Sequence, residues 1–268
     1  MNVYEEIKRF YESYRGEKTV IGLSCEGRSL FAFFVGKHES PTGICQYAMH
    51  AREWSTALLA LHHIGRGVSR GGAWIVPLVN PDGALLSEIG MESVSEERRE
   101  LLYKIGGDYR LYKANIEGVD LNVNFDARWG MGRGNIKRPA PQGYIGPFPH
   151  SAPESRALVD FTKKVSPDYT ISWHTKGEEI YWKFFQTGRR AMRDKRLAKL
   201  LSKSTGYPLV ETPFSAGGYK DWCVEKLKIP AFTVEAGSDK LTHPLGRESV
   251  SGLILRCGEA LAEFTEGF

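Results

Sequence analysis

With 268 residues, 41% of them apolar, the chain can bury a sizeable core and fits one large α/β domain over residues 1–268. A formal charge of +4 and a pI near 8.8 permit an anionic substrate but fall short of the clustered basic footprint of a nucleic-acid binder. Four cysteines (Cys25, Cys45, Cys223 and Cys257) stand without CxxC spacing, so neither a zinc knot nor a disulfide framework is expected.

Residues 1–10 alternate charged and apolar groups as a surface helix does, and lack the apolar core of a signal peptide. No later run is long enough to span a membrane, so a cytoplasmic protein without a membrane partner is expected. Strand-like runs follow at 19–25, 30–35 and 44–49. The third leads into His50-Ala51-Arg52-Glu53, and a helix is expected over 53–65. His50 and Glu53 offer an imidazole and a carboxylate on one turn, a pair suited to a catalytic zinc that keeps one place for water. The plainer alternative is a surface histidine beside a helix-opening glutamate.

A strand at 73–79 runs into Asn80-Pro81-Asp82-Gly83. Residues 113–149 are rich in Gly, Pro, Arg and Asn with no sustained period, and a long loop of that kind in a compact domain is usually functional. Helices are expected at 152–165, 189–205, 218–227 and 245–264, and strands at 169–173 and 231–235. The alternation predicts a mixed, mostly parallel twisted sheet flanked by helices on both faces. His50, the Asn-Pro-Asp-Gly run, His174 and Glu235 each fall at or just past the C-terminal end of a strand, where open α/β sheets bind ligands. His174 is thus the natural third metal ligand, unless it is structural. Glu235, closing an apolar strand, suits a general base, the alternative being a helix-capping or salt-bridged carboxylate. Asp120 is a candidate to hold the second nitrogen of a ligating histidine, or else it simply turns the chain.

Taken together, these motifs resemble the zinc carboxypeptidase family, whose prototypes are the pancreatic carboxypeptidases. The resemblance runs from Gly22 to about Leu261: HxxE at His50/Glu53, Asn80–Gly83, Gly118-Val119-Asp120-Leu121-Asn122-Val123-Asn124-Phe125, His174, and Gly217-Gly218 with Asp221-Trp222 followed by Glu235. It implies one Zn²⁺ held by His50, Glu53 and His174, with Glu235 as general base and Asp120 behind His50. It also implies that Arg52 and Asn122 contact substrate.

Departures from the family pattern concern the substrate. Val123 stands where an arginine clamps the terminal carboxylate, and a valine cannot donate to a carboxylate. Asn115 stands near the place of the oxyanion-stabilising arginine, with Arg128 and Arg138 of the long loop as alternative sources of charge. Pro213-Phe214 occupies the neighbourhood of the mobile tyrosine, leaving Tyr219 as the nearest phenol. Lys220 falls at the base of the pocket for the leaving residue, where it would favour a carboxylate-bearing side chain; otherwise it is an exposed helix lysine. The combination resembles the bacterial γ-D-glutamyl-L-diamino acid peptidases, which implies a peptidoglycan-derived stem peptide, cut at the γ-D-glutamyl–meso-diaminopimelate bond, as the partner. A conventional carboxypeptidase, an amino-acid deacylase and a catalytically silent muropeptide-binding protein are the alternatives.

Overall fold

The structure, a computed structural model, describes residues 1–211 and 215–268. Among them an eight-stranded mixed sheet runs in the order β1-β2-β4-β3-β5-β8-β6-β7. The strands are β1 (Lys18–Leu23), β2 (Ser29–Gly36), β3 (Thr42–Tyr47), β4 (Gly72–Val76), β5 (Tyr169–His174), β6 (Glu179–Tyr181), β7 (Leu209–Val210) and β8 (Ala231–Glu235). The central strands β4, β3, β5 and β8 are parallel to one another. The pairs β1–β2, β2–β4 and β6–β8 are antiparallel.

The central strands are buried at nearly every position because helices cover both faces. Phe33, Tyr47, Ile171 and Phe232 pack one face against α2 (Thr56–Arg66), α6 (Gly188–Thr205), α8 (Val250–Cys257) and α9 (Ala260–Gly267), together with α1 (Val3–Ser13). Phe34, Ile44 and Trp74 pack the other against α5 (Pro153–Val165) and α7 (Tyr219–Trp222), which continues as a π-helical turn over Cys223–Leu227. The expected helix at 245–264 is broken near Gly258 into α8 and α9.

Two helices escaped the sequence reading, α3 (Pro81–Ile89) and α4 (Glu96–Ile105). Asn80 caps α3, its Oδ1 accepting from the Gly83 N–H at 3.0 Å, with Pro81 in the first turn. Its Nδ2 donates to the carbonyls of Met49 and Ala114, so the Asn-Pro-Asp-Gly motif ties the end of β3 to the segment that follows α4. No helix among the described residues is long and apolar enough to cross a membrane.

Candidate active site

Parallel strands in register bring their C-terminal ends to one edge. His174 is the ladder partner of Glu235, so β5 and β8 end side by side. From β3, next to β5, the chain turns through Ala48 at positive φ into a 3₁₀ turn over Ala51–Glu53 with His50 before it. Residues three apart eclipse on a 3₁₀ turn, so the His-x-x-Glu spacing stacks the two side chains. The backbone of Tyr112 and Lys113 secures that turn, accepting from the Arg52 N–H at 2.8 Å and the Ala51 N–H at 3.1 Å.

Three ligand atoms converge. Glu53 Oε1 lies 2.8 Å from His50 Nδ1, and Glu53 Oε2 lies 2.9 Å from His174 Nδ1. The two Nδ1 atoms are only 3.2 Å apart. Two imidazole nitrogens that close require a proton or a cation between them, and all three residues are buried. Burial opposes ionising Glu53, but the two imidazoles overcome it and hold its carboxyl well below the usual range. His50 is raised despite its burial, chiefly by Glu53, whereas burial lowers His174. Electrostatics thus favour positive charge at this trio, the charge a divalent cation would supply there. Zinc takes imidazole nitrogen together with carboxylate oxygen as ligands, so the residues fit that metal.

Asp120 stands behind His50, its Oδ1 3.5 Å from Nε2. It accepts from the Gly143 N–H at 2.9 Å and the Asn122 N–H at 3.2 Å. Burial opposes its ionisation, yet the His50 hydrogen bond and charge hold it at about 2. The geometry is that of a carboxylate fixing the tautomer of a ligating histidine. Glu235 lines the same cleft, and burial, then the Glu53 charge, raise its pKa.

The cleft, about 450 Å³, also exposes Lys113, Asn122, Val123, Arg133 and Ser215. Val123 is held there by a close backbone approach: Gly217, at φ +81°, leaves no room for a Cβ against the Val123 carbonyl. Asn122 Oδ1 accepts from the Tyr219 N–H at 3.2 Å.

Several residues expected to contact substrate lie elsewhere. Asn115 is buried, its amide donating to Glu154 Oε2 at 3.1 Å and its carbonyl oxygen accepting from the Glu117 and Val119 N–H groups. It closes a turn and is not among the described residues that line the cleft. Tyr219 is buried on α7, its hydroxyl 2.8 Å from Thr162 Oγ1. Arg128 lies over the Phe185 ring and pairs with Glu225, while Arg138 is exposed and is not among the described residues that line the cleft. Arg52 is half-buried, with its Nε unpartnered among the described residues. Pro213-Phe214 lies outside the described residues.

Lys220 is not an exposed lysine, and it is not among the described residues that line the cleft. It is buried, with its ammonium 2.5 Å from Asp221 Oδ1 and 3.2 Å from the Lys183 carbonyl. Replacing it with methionine is expected to leave Asp221 buried without its counter-charge, a loss of about 3–5 kcal/mol of stability. A denaturation midpoint unchanged from wild type would contradict this, and would return Lys220 to consideration as a substrate contact.

The sequence reading missed Lys113 and Arg133. Arg133 is the middle one of three arginines in the long loop, with no periodicity to single it out. Lys113 stood two positions from the place where an arginine was sought.

A family model described as zinc carboxypeptidase matches residues 3–249. The γ-D-glutamyl-L-diamino acid endopeptidase 1 of Lysinibacillus sphaericus is 30% identical over 266 residues, covering 91% of this chain and 65% of that protein. The uncharacterized protein YqgT of Bacillus subtilis is 32% identical over 68% of this chain and 50% of its own length. The chain thus spans at most about two thirds of these relatives. Among solved structures, bovine thrombin-activatable fibrinolysis inhibitor aligns with TM-score 0.76 at 20% identity, over 99% of this chain and 96% of that one. Murein-tripeptide amidase MpaA of Escherichia coli O157 aligns with TM-score 0.64 at 22% identity, over 95% of both chains. These two show a shared fold.

Proposed function

The chain belongs to the zinc carboxypeptidase family, and on that premise we propose that it hydrolyses the γ-D-glutamyl–meso-diaminopimelate bond of peptidoglycan stem peptides. The observation that carries this reading is Val123. The family's arginine clamp is absent at that cleft position, so a free terminal carboxylate is not demanded there. Both partners in the scissile bond bear carboxylates beyond the reacting carbonyl, and diaminopimelate joined onward to D-Ala would be hindered by an obligatory clamp. The kinship with a γ-D-glutamyl-diamino acid endopeptidase supports the same substrate.

Zinc held by His50, Glu53 and His174 would supply polarisation of the γ-carbonyl and lower the pKa of an attacking water toward roughly 7. Glu235 takes a proton from that water as the water oxygen bonds to the carbonyl carbon of the γ-amide of D-Glu. Glu235 then passes the proton to the α-nitrogen of diaminopimelate as the C–N bond breaks, so one carboxylate serves as base and then acid. Asp120 keeps His50 oriented throughout.

Mass spectrometry of L-Ala-γ-D-Glu-meso-diaminopimelate, incubated with the zinc-loaded protein, tests the reading. L-Ala-D-Glu plus free diaminopimelate is the expected product pair. An intact tripeptide alongside release of C-terminal residues from ordinary blocked dipeptides would overturn it in favour of a conventional carboxypeptidase.

A further inference from the structure

With Asn115 turned into the core, the oxyanion place is left without the charge that the family resemblance leads one to expect there. Lys113, two residues earlier, is anchored on both sides of its backbone. Its N–H donates to the Pro141 carbonyl at 2.9 Å, and its own carbonyl accepts from Ala51 beside the metal ligands. The residue is half-buried and lines the wall that carries His50, Asp120 and Glu235. Among the described residues its ammonium makes no hydrogen bond or ion pair, unlike the buried ammonium of Lys220. That wall encloses the space beside His50 and Glu235 where the carbonyl must sit to react. Holding an unpaired ammonium half-buried is unfavourable unless an anion arrives.

We propose that Lys113 is a catalytic residue that stabilises the negative charge developing on the scissile carbonyl oxygen, in the role the family gives to an arginine. The assignment rests on the peptidase reading above. Lys113 keeps its proton throughout; it donates a charge-assisted hydrogen bond that strengthens as the oxyanion forms and relaxes when the C–N bond breaks.

The test compares wild type, Lys113→Met and Lys113→Arg, each zinc-loaded, on L-Ala-γ-D-Glu-meso-diaminopimelate. The second ligand is a phosphinate analogue with a tetrahedral anionic phosphorus in place of the scissile amide. Lys113→Met is expected to lower kcat by about 10²–10³-fold, and phosphinate affinity by a similar factor. KM should stay within roughly threefold and zinc content should not change. Lys113→Arg should recover most of both losses. Unchanged kcat in the methionine variant overturns the proposal. So does a loss confined to KM, which would make Lys113 a binder of a ground-state carboxylate. A wild-type enzyme that leaves the tripeptide intact overturns the substrate reading instead, and the Lys113 comparison is then decided on the C-terminal peptide it does cleave. If the wild type cleaves neither, both fall.

Discussion

Glu235→Gln is expected to lower kcat by about 10²–10⁴-fold, the range attributed to a positioned general acid–base group, while zinc content stays at one per chain. Position and environment both lead to this expectation. Glu235 closes β8 next to His174 in the ladder, so it stands at the candidate metal ligands without being one of the converging trio. It faces the cleft, and burial together with the Glu53 charge raise its pKa, which places its proton affinity nearer to that of the water and amine it must serve. Glutamine keeps the shape and can still hydrogen-bond, but it neither accepts nor returns a proton. The substitution also removes a like charge beside Glu53, so the fold should be retained. Metal content by elemental analysis, steady-state kinetics and a thermal scan together decide the matter. Turnover near wild type in a zinc-replete Gln variant would refute the role, and a variant that had lost zinc would show that Glu235 supports the metal site instead.

That His50, Glu53 and His174 come together was legible because both of the spacing rules are local or topological. The His-x-x-Glu interval places two donors on one 3₁₀ turn, and parallel strands deliver His174 and Glu235 to the same edge. The six longer strands announced themselves as apolar runs, whereas β6 and β7, of three and two residues, are too short to show any period. α3 was invisible for a different reason: it is buried at seven consecutive positions from Pro81 to Ser87, so no polar face marks a helical repeat. α4 has the opposite problem, with Leu102 its one buried residue in a charged segment. The substrate-facing residues were the least legible. Whether Asn115 or Lys113 faces the cleft depends on the turn that Asn115 itself closes, and no count along the sequence reveals it. The pairing of Lys220 with the adjacent Asp221 was equally hidden, since neighbours in sequence do not ordinarily face one another on a helix.

Removing zinc is expected to lower the melting temperature by about 8–16 °C. Binding at about a thousandfold excess over Kd stabilises the native state by about 4.1 kcal/mol. For a chain of this size each kcal/mol moves the midpoint by about 2–4 °C. The metal-free protein should nevertheless stay folded, because His50, Glu53 and His174 satisfy one another at 2.8–2.9 Å and the turn that carries them is tied to Tyr112 and Lys113. That mutual satisfaction also sets the pH dependence. In the metal-free fold Glu53 raises the pKa of His50 above the ordinary imidazole value against the effect of burial, so zinc must displace a proton that is held more tightly than in the unfolded chain. The ion-pair contribution of His50 to the metal-free fold is fully present at acid pH and fades as pH rises through its raised pKa. Zinc affinity moves the other way. The gain in melting temperature on adding zinc should therefore grow between pH 6 and pH 8, by up to about tenfold in apparent affinity per unit while His50 carries its proton. Calorimetry of chelated and zinc-reconstituted protein at both pH values measures this, and coincident melting curves at either pH would exclude His50, Glu53 and His174 as a tight zinc site.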